Sequence, residues 1–192
     1  NTVIATLSDV GIWAVMGNNS VLGGIKPTAL SVQASGDTNS SASGTGTYFV
    51  HNLNYVMPGN YMVANKALRI SAHWRVTGGS GPPNLHFQLR AGSTVLAQHD
   101  PGAGPTSVTN NQFGLQWMMQ ALGAPSGTTN CEITAFGNSN GVGGATTSNV
   151  TDMPVALATN GPLTLQVATQ WDSVGTGTNT LTLSQFVVEP IN

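Results

Sequence analysis

Between positions 67 and 77 the chain alternates without a slip. Leu68, Ile70, Ala72, Trp74 and Val76 share one face, and Arg69, Ser71, His73, Arg75 and Thr77 share the other. Successive side chains of a strand point to opposite faces, so this period of two marks a half-buried strand of an antiparallel sheet. The period returns along the chain. Residues 84–91 place Leu85, Phe87 and Leu89 inward and His86, Gln88 and Arg90 outward. Residues 112–121 alternate Phe113, Leu115, Trp117 and Met119; residues 130–136 alternate Cys131, Ile133 and Ala135; residues 163–171 alternate Leu163, Leu165, Val167, Thr169 and Trp171. Residues 180–189 begin with Leu181 and Leu183 on one face and continue with Phe186 and Val188 on the other, which predicts a bulge or a strand end covered on both sides. Weaker strand candidates lie at 10–16, 28–33, 47–54 and 60–64.

No segment carries a helical period. Glycine and proline sit mostly between the strands, and short strands spaced by turn residues are the pattern of a sandwich or barrel. The Gly-Gly-Ser-Gly-Pro-Pro run at 78–83 and the Ala-Gly-Ser run at 91–93 read as turns, with a third strand at 94–98. Residues 67–98 therefore read as a meander. Two long, nearly uncharged polar loops lie at 34–46 and 137–151, at one end of the sandwich or ordered only against a neighbour. The length fits one domain. Residues 26–192 are expected to form the β-sandwich, and residues 1–25 either an outer strand or an arm that packs on another subunit.

Composition narrows the function. Only 6% of the 192 residues are charged, where a soluble domain carries roughly 25%. Charge keeps free monomers apart, so its scarcity points to a surface buried in an assembly. A net charge of −2 argues against nucleic-acid binding, and no basic run suits an anionic membrane. No stretch reaches the ~20 apolar residues of a membrane span, and the amino end lacks the pattern of a signal peptide. The single cysteine, Cys131, excludes an intramolecular disulfide and reads as a small apolar strand residue. Sequons at Asn18, Asn39 and Asn149 are what chance gives in a chain this rich in Asn, Ser and Thr.

Two blocks resemble a family. The segments Leu-Arg-Ile-Ser-Ala at 68–72 and Asn-Leu-His-Phe-Gln-Leu-Arg-Ala-Gly-Ser-Thr-Val-Leu-Ala at 84–97 are similar to a recurring block of tailed-phage virion proteins, of the form L-R-I-x-A, variable turn, L-x-F-x-L-R-x-G-x-T-V-L. The segments 163–171 and 179–189 resemble the L-x-L-x-x-Q-W … N-T-(L/I)-T … V-E ending of the same proteins. The likeness covers residues 67–189. It implies a jelly-roll-like β-sandwich; together with the strand pattern, the expected fold is an all-β, antiparallel jelly-roll-like sandwich with an extended amino-terminal segment. It also implies a non-enzymatic role in the particle: a head decoration or cement protein, a head fibre or a small tail component. The implied partners are the major capsid protein on the capsid exterior and further copies of the chain, as a homotrimer or a dimer. The alternative is a receptor- or carbohydrate-binding tip of a tail or head fibre, with the loops 34–46 and 137–151 as its binding surface.

No catalytic constellation has suitable spacing, and no cofactor or metal is expected. His99-Asp100-Pro101-Gly102 reads as a turn. His51, His73, His86 and His99 lack metal-ligand spacing, although His73 and His86 could meet across the 78–83 turn. The seven carboxylates are not clustered as glycoside hydrolysis requires, and neither Gly-Thr-Gly run opens a phosphate loop. Trp74, Trp117 and Trp171 lie on the apolar register of their strands and read as core. Trp13, Tyr55 and Tyr61 are less constrained and are candidate interface residues. Arg69, Arg75 and Arg90 fall on polar strand faces. They either keep the sheet solvated or form a contact patch for carboxylates on a capsid or subunit partner.

Overall fold

The computed structural model describes residues 29–31, 37–42, 46–138 and 155–191. The expected arm or outer strand over 1–25, with Trp13, and most of the loops 34–46 and 137–151 lie outside the described residues. The chain is all-β. Its strands are β1 (Ala29–Ser31), β2 (Thr38–Ser40), β3 (Phe49–Met57), β4 (Ala67–Gly78), β5 (Asn84–Ala91), β6 (Thr94–Ala103), β7 (Val108–Ala121), β8 (Thr129–Asn138), β9 (Val155–Leu157), β10 (Leu163–Trp171) and β11 (Thr180–Pro190).

They form two antiparallel sheets. The seven-stranded sheet runs β1-β11-β4-β7-β8-β9, with β2 also paired to β11; the four-stranded sheet runs β3-β10-β5-β6. The orders β2-β11-β4-β7 and β3-β10-β5-β6 are those of an eight-stranded jelly roll, in which the chain passes back and forth between two facing sheets. The extra strands β8 and β9 widen the first sheet.

This topology corrects the meander over 67–98. β4 lies in one sheet, and β5 and β6 form a hairpin in the other. The run 78–83 is a crossover, and packing explains why. A side chain at Gly78 would run into the Pro105 carbonyl oxygen, and one at Gly79 into that of Thr176. Ser107 N–H donates to Gly79 O at 2.8 Å, Gly104 N–H to Pro83 O at 2.9 Å, and Thr176 N–H to Gly81 O at 2.9 Å. Three loops close one end of the sandwich through contacts that glycine alone permits.

Two other expectations change. The candidate strand at 60–64 is a turn, with left-handed backbone at Asn60 (φ 60°) and Asn65 (φ 65°). The turn expected at His99-Asp100-Pro101 is strand: β6 runs through it. β6 is an edge strand, where a proline costs no ladder hydrogen bond. The bulge expected in β11 lies between Leu183 and Gln185, and it brings Leu181, Leu183, Phe186 and Val188 all into the core.

The core fills the space between the sheets. Trp74 of β4 and Phe113 of β7 meet Phe87 of β5, with ring centroids 5.0 Å apart for Trp74–Phe87 and 4.7 Å for Phe87–Phe113. Trp74, Trp117, Trp171 and Cys131 are all buried, as their register predicts. His99 is buried with them, stacked on Phe113, and neither of its ring nitrogens has a hydrogen-bond partner among the described residues. Burial pushes the imidazole below its ordinary value of 6.5, against the pull of the neighbouring Asp100 carboxylate. The unfolded chain therefore takes up this proton at higher pH than the folded one, and stability falls as pH drops below about 6.5. His99→Leu should lose less melting temperature between about pH 7 and about pH 5 than the wild type does. Equal losses in the two proteins would show that His99 is not the group responsible.

Candidate functional site

Three places gather polar side chains. The first is the outer face of the four-stranded sheet. Alternation in β5 turns His86, Gln88 and Arg90 outward. Gln98 and Asp100 of β6 come up beside them, because Gln88 pairs with Gln98 in register. Arg90 Nε donates to Gln88 Oε1 at 2.9 Å, Gln88 Nε2 to Gln98 Oε1 at 2.9 Å, and Gln98 Nε2 to Asp100 Oδ2 at 2.9 Å. His86 Nδ1 lies 2.7 Å from Asp100 Oδ1.

The amides all point the same way. Each oxygen faces the guanidinium and each nitrogen faces the carboxylate, as the end charges require; a flipped amide would set N–H against N–H. Tyr48, just before β3, lies under the Arg90 guanidinium at 5.4 Å from its ring centroid. Burial and the Asp100 charge raise its hydroxyl above the usual phenol value, with Arg90 and Gln88 opposing. Gln88 is 5% exposed, so the middle of the chain is sealed while its ends reach solvent.

The second place is buried. Asp37 precedes β2, and its backbone oxygen accepts from Leu183 N–H of the seven-stranded sheet. Its Oδ2 accepts from Asn52 N–H at 3.0 Å in β3 of the other sheet, where three residues, His51 to Leu53, stand opposite Val167 alone. Asp37 Oδ1 lies 3.2 Å from His51 Nδ1, close enough for Coulombic pairing but not aligned as a hydrogen bond, and both side chains are 0% exposed. His51 Nε2 is 3.0 Å from Thr169 Oγ1, which accepts from Asn39 Nδ2 at 3.1 Å. One proton arrangement satisfies the set: Thr169 O–H donates to His51 Nε2, and the Nδ1 proton faces Asp37. Burial would raise the Asp37 carboxyl, but His51 and the Asn52 and Leu53 N–H groups outweigh it and hold it below its ordinary value. The order acid–histidine–hydroxyl is that of a nucleophile relay. Thr169 is 0% exposed, however, so a substrate carbonyl has no approach to Oγ1, and the network serves to pin β2, β3 and β10 together. Asn39, one of the three sequons, is equally buried and is no glycan acceptor in the folded chain.

The third is the outer face of the seven-stranded sheet. β4 presents Arg69, Ser71, His73 and Arg75; β7 adds Gln112 and Gln116, and β11 adds Thr182 and Ser184. Arg69 pairs across the ladder with Glu189 at 3.8 Å, both half-exposed. Arg75 stands between Gln112 and Thr182 with no carboxylate partner among the described residues.

The three arginines singled out in the sequence therefore do not form one patch. Arg69 and Arg75 face out from one sheet and Arg90 from the other, on opposite sides of the sandwich. The same division separates His73 from His86. Tyr55 and Tyr61 do come together, half-buried against the core, with Lys66 Nζ 3.8 Å above the Tyr61 ring. Among the described residues no group of three or more His, Cys, Asp or Glu side chains is placed to hold a metal ion.

No protein-family model matches the chain, and no curated protein matches it. Among solved structures it is similar to a protein described as the conserved carbohydrate esterase vb_24B_21 from Shiga toxin-encoding bacteriophage phi24B. The two are 16% identical with a TM-score of 0.33, over 84% of this chain and 89% of that one.

Proposed function

We propose that the protein is a non-enzymatic structural component of a phage particle, a head decoration protein that docks on the capsid exterior and stabilises the shell by binding it. The resemblance of its strand blocks to tailed-phage virion proteins supports this reading, and those blocks make up β4, β5, β6, β10 and β11 of the jelly roll. The observation that carries it is the outer face of the seven-stranded sheet. It is broad, rich in hydroxyls and amides, and sparsely charged: among the described strand residues its ionised groups are Arg75, Glu132 and the Arg69–Glu189 pair. Neutral groups form a large wet interface without the desolvation cost of buried ions. Bound protein stabilises a shell by mass action. Neighbouring copies, in a trimer or a dimer, would cover sheet edges.

Quantitative peptide mass spectrometry of purified particles is expected to find this chain in a simple ratio to the major capsid protein, at hundreds of copies. Arg75→Ala should weaken co-sedimentation with undecorated capsids by at least about tenfold, since a hydrogen bond to a charged group contributes roughly 1.5–3 kcal/mol. Absence from every particle would end this reading. A dozen copies would move the protein to the tail or a unique vertex.

A second reading, a carbohydrate- or receptor-binding domain, is favoured by the polar chain on the outer face of the four-stranded sheet.

A further inference from the structure

We infer that the outer face of the four-stranded sheet is a binding site for an uncharged oligosaccharide, contacted by Tyr48, His86, Arg90 and Gln98. This rests on the second reading above. It moves the site from the loops 34–46 and 137–151 to the sheet face itself.

Charge selects the ligand class. Arg90 and Asp100 stand at opposite ends of one hydrogen-bonded chain, so their charges cancel across the site. An anionic ligand drawn to Arg90 would meet Asp100, and a cationic one drawn to Asp100 would meet Arg90. A nucleic acid needs a run of unopposed cations, which this face lacks. What suits it is a neutral ligand whose groups both donate and accept, as sugar hydroxyls do.

The polar groups are also held in place before any ligand arrives. Gln88 is bonded at both ends of its amide and almost fully buried, and Gln98 is bonded at both ends of its own. A solvated sheet face has no need of such order. Fixed groups lose little rotamer freedom on binding, which favours a weakly attracted neutral ligand. Outward capacity remains. Arg90 uses Nε in the chain and keeps its two terminal nitrogens, and His86 uses Nδ1 and keeps Nε2. The half-buried Tyr48 ring sets an aromatic surface beside them, oriented by the guanidinium.

The face is longer than one sugar. Gln166 and Gln170 of β10 lie beside Arg90 and His86 in register, and Asn54 of β3 lies beside Gln166. This row of amides across adjacent strands matches a repeating chain of hydroxyls. A protein partner would look instead for large aromatic anchors, and the apolar side chains exposed on this face are the small valines Val50 and Val56 of β3 and Val95 beside Arg90.

The test is an array of neutral oligosaccharides of glucose, galactose, mannose and N-acetylglucosamine, beside sialylated and sulfated ones, followed by calorimetric titration of the tightest neutral hit. Arg90→Ala and Tyr48→Ala should each weaken that hit at least tenfold while keeping the wild-type melting temperature within a few degrees. Gln98→Ala, a smaller cut in the same chain, should weaken it severalfold, and Val174→Ser, on an exposed loop, should leave it unchanged. A neutral hit untouched by the three site variants would overturn this site and leave carbohydrate binding elsewhere on the chain. A preference for sialylated or sulfated glycans would overturn the ligand class. No binding to any glycan would overturn both the site and the second reading, without touching capsid docking through the opposite sheet.

Discussion

Asp37→Ala is expected to lower the unfolding free energy by about 1–3 kcal/mol at neutral pH, the cost of leaving buried N–H groups without their acceptor. The carboxylate has three tasks at one spot. It faces the His51 Nδ1 proton, accepts the Asn52 N–H, and anchors a loop whose own backbone bonds to the opposite sheet. Without it, His51 and the irregular turn of β3 lose their partners inside the protein, where water cannot replace them. Removing both partners, as in Asp37→Ala with His51→Leu, should cost less than the sum of the single changes, since the imidazole N–H is then no longer left facing an empty space, while the Asn52 N–H still lacks its acceptor. The pH dependence has a definite sign. The folded carboxyl lies below its ordinary 3.8, so its contribution is complete above that value and is lost as pH falls through the lower, folded value. That acid limb should vanish in Asp37→Asn, and it begins below about 3.8, whereas the His99 loss begins near 6.5. Denaturant melts from about pH 7 to about pH 2.5 measure both. A loss below about 1 kcal/mol for Asp37→Ala would mean that the network does not hold the two sheets together.

This network was not legible in the sequence, for a physical reason. Asp37 and Asn39 sit in a run of Gly, Ser, Thr and Asn, where composition alone reads as loop, and Thr169 is 130 residues from Asn39. Nothing local marks a contact made by the closing of the fold. The strands themselves were legible wherever one face is dry, because alternation reports burial directly. β4, β5 and β10 fall where period two puts them, and even the β11 bulge shows in the shift of apolar phase between Leu183 and Phe186.

Topology was less legible. A hairpin and a crossover between sheets share the same strand–turn–strand pattern, so Arg75 and Arg90 read as neighbours when they face away from one another. The polar site was half visible. Alternation in β5 put His86, Gln88 and Arg90 on one face. Asp100 was lost because Asp-Pro-Gly is turn chemistry in isolation, and only the edge position of β6 lets it stay extended. Nothing local in the sequence ties Tyr48 to this face, since its place there comes from lying under Arg90.

The core offers the second large effect. Trp74→Ala should cost about 3–5 kcal/mol, the range for emptying a large aromatic from a close-packed interior. For a domain of this size that is a fall in melting temperature of roughly 6–20 °C. Trp74 is 0% exposed and packs on Phe87 of the facing sheet and Phe113 of the neighbouring strand, with His51 tilted against it at 6.4 Å. The cavity would open between the sheets, next to the polar network, and neither sheet can collapse far while both are held in register by their ladders. Trp74→Phe should be much milder. It loses part of the ring volume, but it also removes a buried indole N–H that has no hydrogen-bond partner among the described residues, and an unpaired buried donor carries its own penalty of roughly 1–3 kcal/mol. The two changes therefore separate volume from polarity at one site. A large loss for alanine with a small one for phenylalanine is the expected result in chemical denaturation. Similar losses for both would mean that the indole nitrogen is satisfied in solution. A small loss for alanine would place Trp74 outside the core, and with it the facing of β4 on β5 that sets Arg75 and Arg90 on opposite surfaces.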